Sequence, residues 1–427
     1  MSGRVVSADW VVPVEGEPIR AGAVAIGADG LIEAVGLVPE LGEGEAFPGC
    51  VIVPGLVNAH THLEYAVYAG FGDGLPFVPW IGLHISRKAL LDVEEMRGIA
   101  GVGAAECLRS GTTTIGDCSF SGAAAEAATA VGLGAVVFVE VFGQDVTALE
   151  RFEEIRDRIA PTLSDNVRLG VSPHAPYTCT REVYEACAAL GLPIQTHLAE
   201  SPAERDWLVG GTGDWTPLAE FLVPPPGTTG IRLLAEAGLL SPSVSAAHCV
   251  HADDEEIELL ARAGVGVAHC PRSNGFLGCG VARVAELQAA GITVAIATDS
   301  PASTPSFDLF EEMRMAIVLA RGRAERPDAY SARDALEAAT LGGARILGLE
   351  SELGSLVPGK RADLAIVDLA EAPFDPVEDP VAAVVLGGSP DRVAATLVGG
   401  EDRFRRGITA WRDSTRAGQK ARSRMLQ

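Results

Sequence analysis

The sequence predicts an α/β protein: a (β/α)8 barrel of the TIM type, accompanied by a small β-sandwich domain built from both chain ends. Three observations lead there. Between residues 51 and 300, eight short apolar runs alternate with amphipathic stretches, the rhythm of repeated strand and helix units. Most of these runs end in a histidine or a carboxylate, and a parallel barrel collects its strand ends on one face. Outside that region the pattern changes to short alternating segments broken by turn residues, as hairpins require. A doubly wound open sheet would use the same elements; the count of eight favours closure.

From the N-terminus, VVSADWVVPV and AVAIGADGLIEAVG alternate apolar and polar positions, the second broken by the turn Ala28-Asp29-Gly30. The eight runs follow: VIVPGLVN, TTTIGD, AVVFVEV, VRLGVS, PIQTHL, VSAAHC, VGVAHC and TVAIATD. Between them lie helical patterns such as VEEMRGIAGVGAAECLRS, TREVYEACAALG, DDEEIELLARAG and VARVAELQAAG, several closed by the glycine that ends many helices. After two further helical stretches, GSLVPGKRADLAIVDL returns to strand character. The expected division is 1–53 for the first part of the β domain, 54–350 for the barrel and 351–427 for the second part of the β domain. Residues 406–427, rich in arginine, read as a terminal helix or tail with no evident chemistry.

Composition narrows the partners. A chain of 427 residues with 48% apolar side chains, 49 Gly and 26 Pro can bury a large core and make many tight turns. No run of about 18 apolar residues occurs, and MSGRVVSADW has neither the basic start nor the apolar stretch of a signal peptide, so a cytoplasmic protein is expected. Eight cysteines without a C-x-x-C are expected to be reduced thiols. A net charge of −24 repels phosphate backbones and anionic lipid. A small molecule is therefore the expected partner, not a nucleic-acid polymer or a membrane.

The chemistry starts at PGLVNAHTHLEY, residues 54–65. In a strand, His60 and His62 leave the same face, which is how a strand end grips a metal. Six of the eight histidines lie at or just beyond strand ends: His60, His62, His174, His197, His248 and His269, with Glu140 and Asp299 ending two other strands. His60, His62, His197 and Asp299 together offer three imidazoles and a carboxylate with room for a water, a set suited to zinc, with ferrous iron as the alternative. Singly, His197 could be a core histidine and Asp299 a helix cap. Binuclear sites in such barrels bridge their ions with a lysine from the fourth strand, and VRLGVS has none, so one metal per chain is expected. Glu200, three residues after His197, can lean over the site as a proton shuttle or sit in a first helical turn. His248 is a second candidate for activating water, and Glu140 is a pocket candidate. His251 precedes a capping pattern of Asp253 and Glu256 and reads as structural. His269 either lines the pocket or packs, and His84 has no supporting context.

The motifs PGLVNAHTHLEY, SPHAPYTCT, THLAES, AHCVHADDEE, HCPRSN and TDSPAS, in this order and spacing, resemble the amidohydrolase superfamily, and within it the mononuclear nucleoside and nucleobase deaminases. The match covers most of residues 51–320, and PGKRADLAIVD resembles the split β-sandwich that accompanies such barrels. The resemblance implies metal ligands at His60, His62, His197 and Asp299, a proton shuttle at Glu200 and assistance to the water from His248 and Asp299. It implies substrate contact at His174, a pocket wall at Trp80 and a homodimer as one assembly. Deaminases of adenosylhomocysteine carry an acidic residue several positions after that tryptophan; here Arg87 and Lys88 occupy the region. HTHLEY resembles the aminodeoxyfutalosine deaminases of menaquinone synthesis, whose substrate carries a benzoate, and a cation such as Arg87 would suit that carboxylate. The expected reaction is hydrolytic deamination of an aminopurine nucleoside. Deamination of guanine, or of adenosine, adenosylhomocysteine or methylthioadenosine, and loss of chloride from a triazine, are rivals on the same site. Glu200 argues against chloride, which needs no proton to leave. A catalytically dead scaffold would lack ligands, and here every ligand position is filled.

Overall fold

A computed structural model describes residues 3–371, 373–409 and 411–426 of the chain. The chain opens with four strands, β1 (Arg4–Val11), β2 (Ile19–Ile26), β3 (Ile32–Leu37) and β4 (Glu45–Pro54). Eight more follow, each leading into helical or irregular connections: β5 (Leu56–Thr61), β6 (Thr112–Ser119), β7 (Gly134–Val141), β8 (Val167–Pro173), β9 (Ile194–Leu198), β10 (Val244–His248), β11 (Gly266–His269) and β12 (Val294–Ile296). Three last strands, β13 (Leu364–Asp368), β14 (Val393–Val398) and β15 (Glu401–Arg405), complete the set.

Strands β5 to β12 pair in chain order, all parallel. The seam between β5 and β12 is closed by few backbone bonds, among them Asp299 N–H to the His60 carbonyl at 3.0 Å. Asn58 does the rest. Its carboxamide accepts from Thr298 N at 3.0 Å and donates to Thr298 Oγ1 at 2.8 Å, standing in for a peptide group that the ladder lacks. Barrel closure by Asn58 and Thr298 therefore lies right beside His60 and Asp299.

The chain ends meet in one continuous seven-stranded mixed sheet, ordered β15-β14-β13-β4-β1-β2-β3. β4 and β13 are apolar on both faces because each face is covered. Ile52, Leu364 and Ile366 join the sheet's own core, while Val51, Val53, Ala365 and Val367 join the core that includes Leu56 and Leu108 of the barrel, as the two-residue period of a strand dictates. The run VIVPGLVN, read above as one strand, divides here: VIVP ends β4 and LVN begins β5. Gly55 makes the handover, since a Cβ there would lie 2.1 Å from Thr113 Oγ1. The arginine-rich terminus forms a helix, Arg412–Met425, laid closely on the helix Val93–Arg109: a Cβ on Gly98 would lie 2.7 Å from Ala417 Cβ. Among the described residues, no helix is long and apolar enough to cross a membrane.

Candidate active site

Four imidazoles and two carboxylates converge at the C-terminal ends of the barrel strands. Donor atoms of His60, His62 and Asp299, of His60, His197 and His248, and of Glu200, His248 and Asp299 each form a group within 4.8 Å of one another. The tautomers of the three ligand candidates are decided by what lies behind them. Gln195 gives both amide hydrogens away, to the Ala59 carbonyl and to Ser245 Oγ, so its oxygen faces His60 Nδ1 at 2.7 Å as an acceptor. His62 Nδ1 donates to the Cys118 carbonyl at 2.9 Å and His197 Nδ1 to the His174 carbonyl at 2.8 Å. Each Nε2 is thereby left with its lone pair facing the centre.

The residues present fit a divalent cation. His60 is fully buried, and its Nε2 has no hydrogen-bond partner, a costly state for a polar atom unless something takes the lone pair. Donors placed tetrahedrally at zinc bonding distances stand about 3.3 Å apart. Here His62 Nε2 lies 3.3 Å from His197 Nε2 and 3.5 Å from Asp299 Oδ1, and His60 Nε2 lies 3.8 Å from the same oxygen. Burial first of all pulls the imidazoles down, His60 to about 4, His62 to about 3 and His197 well below its usual range, so all are neutral, as ligation requires. Asp299 is held by Ser273 Oγ at 2.7 Å and Ser303 Oγ at 2.8 Å on its other oxygen and caps no helix; Asp308 caps the helix that follows.

Glu200 is buried, not in a helical turn: Ser201 caps the helix Pro202–Gly210, and Glu204 is the acid of its first turn. Burial, reinforced by Asp299, pushes the Glu200 carboxyl well above its usual range. Its Oε1 is 3.6 Å from His248 Nε2, and His248 is oriented by Asn274 Oδ1 at 2.9 Å. The strand ends are sharply bent. Ala199, His248, Cys249 and Asp299 all have φ between 48° and 74°, a region that non-glycine residues enter at a cost. Glu204 holds the first of these bends, accepting the N–H groups of Ala199 and Glu200 at 2.9 Å each. Sequence reasoning missed Glu204, although Ser201 and Glu204 have the spacing of a capping box, and it missed Gln195, which shares the inward face of β9 with His197. Ser273 and Asn274 stand in the HCPRSN motif, but no spacing along the chain assigns them to Asp299 and His248.

The substrate-side candidates separate. Glu140 ends β7, buried, with Oε1 4.0 Å from His62 Nδ1; burial raises it to about 7 against the pull of Lys88. The His174 ring stacks on Phe142 at 4.5 Å and bonds Thr178 Oγ1 at 2.9 Å, and its carbonyl orients His197. Trp80 sits on the helix Phe77–Lys88, edge-on to buried His84 at 4.5 Å and packed, as Tyr65 is, against the cluster around Tyr68 and Phe71. The Arg87 guanidinium lies 3.9 Å from the Phe71 ring centroid and donates to the Met425 carbonyl at 2.9 Å. Successive helix positions differ by about 100°, and it is Lys88 that faces inward, donating to Tyr65 OH at 2.7 Å, with the Tyr65 ring 5.9 Å from that of His62. His251 bonds the Cys279 carbonyl beside the Asp253 and Glu256 cap, and His269 is buried at the end of β11.

Residues 51–402 match the amidohydrolase family. The chain is 36% identical over 420 residues to the 5-methylthioadenosine/S-adenosylhomocysteine deaminase of Moorella thermoacetica, covering 95% of each. It is 34% identical over 370 residues to the 5′-deoxyadenosine deaminase of Methanothermobacter thermautotrophicus, covering 84% of this chain and 83% of that one. Among solved structures, an adenosine deaminase from Xanthomonas campestris with bound zinc superimposes with a TM-score of 0.87 at 28% identity, over 99% of this chain and 98% of that one. With a barrel closed beside a histidine and aspartate cluster, and with these relatives along its whole length, the chain belongs to the amidohydrolase family, hydrolases of carbon–nitrogen bonds.

Proposed function

We propose that the protein removes the ring amine of an adenine-type nucleoside by hydrolysis, with 6-amino-6-deoxyfutalosine the favoured substrate. The observation that carries the reaction is Glu200, a buried carboxyl with a raised pKa set 3.6 Å from His248 and beside Asp299. His60, His62, His197 and Asp299 would hold one divalent metal, zinc by the chemistry of the donors, which supplies Lewis acidity and an acidified water. Glu200 takes one proton of the attacking water and delivers it to the ring nitrogen beside the amine-bearing carbon; it then takes the remaining proton from the added hydroxyl and passes it to the amine, which leaves as ammonia while that carbon becomes a carbonyl. His248, fixed by Asn274, and Asp299, fixed by two serines, orient the oxygen.

Two things support the choice of substrate. The relatives named above act, by their names, on adenosines that differ at the 5′ position, which makes adenine the constant part. On this chain, Lys88 Nζ and Arg151 Cζ lie 4.0 and 3.9 Å from the centroid of one ring, Phe120. Neither has a carboxylate within 4.0 Å among the described residues. Two basic side chains around one aromatic ring, with Glu140 and Glu64 acting on Lys88 from further off, favour a 5′ substituent that is itself aromatic and anionic. Ammonia release from 6-aminodeoxyfutalosine, methylthioadenosine, adenosylhomocysteine and 5′-deoxyadenosine tests the reading. A kcat/KM at least about tenfold higher for the first is expected from one charge-assisted contact. Equal values would leave a general deaminase of 5′-substituted adenosines, and no ammonia from any of them would overturn the reaction itself.

A further inference from the structure

The helix Arg412–Met425 and Arg87, neither used by the hydrolytic site, meet over one stretch of chain. We propose that this helix is a positioning element for the substrate side of the pocket, with Arg422 as its central contact. It holds residues 63–92, and through them Tyr65 and Lys88, over the strand ends. The proposal rests on the reading that Tyr65 and Lys88 face the substrate.

After His62 the chain leaves the barrel, and from Ala66 to Pro76 it forms turns without strand or helix. Such a run has few backbone bonds of its own and needs outside partners to stay in place. Arg422 supplies them, donating to the carbonyls of Val67 and of Ala69, the latter at 3.1 Å. Its guanidinium also lies 4.3 Å from the Phe71 ring centroid. Arg87 approaches that ring to 3.9 Å and donates back to Met425 at 2.9 Å, so Phe71 is clasped by one guanidinium from each partner. Ala421 and Met425 are buried with Tyr68, Phe71, Ile99 and Ala302, the last only three residues past Asp299. A Cβ on Gly418 would lie 2.6 Å from Val102, so the helix seats where a larger residue would not allow it. From Tyr68 the contact continues inward: the Tyr65 ring is 4.9 Å from Tyr68 and 5.9 Å from His62. The histidines and Asp299 have their own hydrogen bonds inside the barrel. Loosening the helix should therefore disturb substrate binding and leave the metal donors in place.

The test compares Arg422→Gln and Arg422→Lys with the wild-type protein as purified, by hydrogen–deuterium exchange, metal content and steady-state kinetics. Arg422→Gln is expected to speed exchange in residues 66–76 about tenfold, to raise KM about tenfold and to leave kcat within about threefold, the size of one charge-assisted contact. Metal content and exchange in β9 and β10 should not change. Arg422→Lys, which keeps a charged donor, should recover part of the KM. Unchanged exchange in 66–76, an equal rise in the barrel strands, or a fall in kcat at constant KM would overturn the proposal. If the wild-type protein deaminates none of the nucleosides, the reading of the site fails, while the exchange pattern still decides whether the helix holds this segment.

Discussion

Replacing Glu204 by glutamine probes how the bend that carries Glu200 is held. The carboxylate accepts two backbone N–H groups at 2.9 Å from a buried position, and Ala199 between β9 and that bend has φ 51°. A glutamine has one carbonyl oxygen and can keep one of these bonds; its NH2 faces the other N–H and leaves a buried donor unpaired. That loss costs about 1–3 kcal/mol. If the cost falls on the conformation that aims Glu200, the productive population drops about five- to 150-fold, since 1.36 kcal/mol is a factor of ten. The assay is ammonia release under steady state, with metal content measured on the same samples. The expected result is kcat lowered by about tenfold or more, KM within about twofold and metal unchanged. A kcat within twofold of wild type would refute the reasoning. Loss of metal would refute it as well, because Glu204 would then be supporting His197 instead of Glu200.

Three further outcomes follow from the same geometry. Glu200→Gln should keep one metal per chain by elemental analysis while kcat falls at least about a hundredfold, since the amide cannot pass a proton; loss of metal would make Glu200 a ligand. Lys88→Met should erase most of the preference for a carboxylated 5′ substituent in competition assays, about ten- to a hundredfold, whereas Arg87→Met should leave the preference and act on stability; the reverse pattern would reinstate Arg87 in the pocket. For the chelator-treated protein, thermal unfolding across pH should show a maximum near pH 6.5. His60, at about 4, and His62, His174 and His269, at about 3, lie below the usual 6.5 because burial disfavours their charged forms. The unfolded chain then binds more protons, and stability is lost as pH falls from about 6.5, by up to about 1.4 kcal/mol per pH unit for each. Glu140 and Glu312, raised by burial to about 7, act with opposite sign: their contribution is lost as pH rises from 4.5 through that value. Stability that climbs steadily to pH 9 would contradict the raised carboxyls, and stability that does not fall below pH 6.5 would contradict the buried neutral histidines.

What the sequence alone determined is what depends on neighbours along the chain. The strands are legible because apolar runs of five to eight residues bounded by glycine or polar residues have few other uses. The gathering of His60, His62, Glu140, His197, His248 and Asp299 is legible because each ends such a run, and parallel strands bring their ends together whatever the helices do. Even the capping of the helix after His251 by Asp253 and Glu256 is a local spacing. Tertiary structure decided which group each of these side chains meets from behind. Gln195 behind His60, Asn274 behind His248, and Ser273 and Ser303 behind Asp299 come from other strands or from connections whose path no periodicity states. It also decided between Arg87 and Lys88, adjacent in sequence and alike in charge. On a helix they point about 100° apart, and only the packing of that helix against Phe71 and the C-terminal helix selects which one looks inward. The C-terminal helix itself reads as polar and featureless, because its function lies in the carbonyls that Arg422 reaches more than 350 residues back along the chain, a distance over which sequence carries no register.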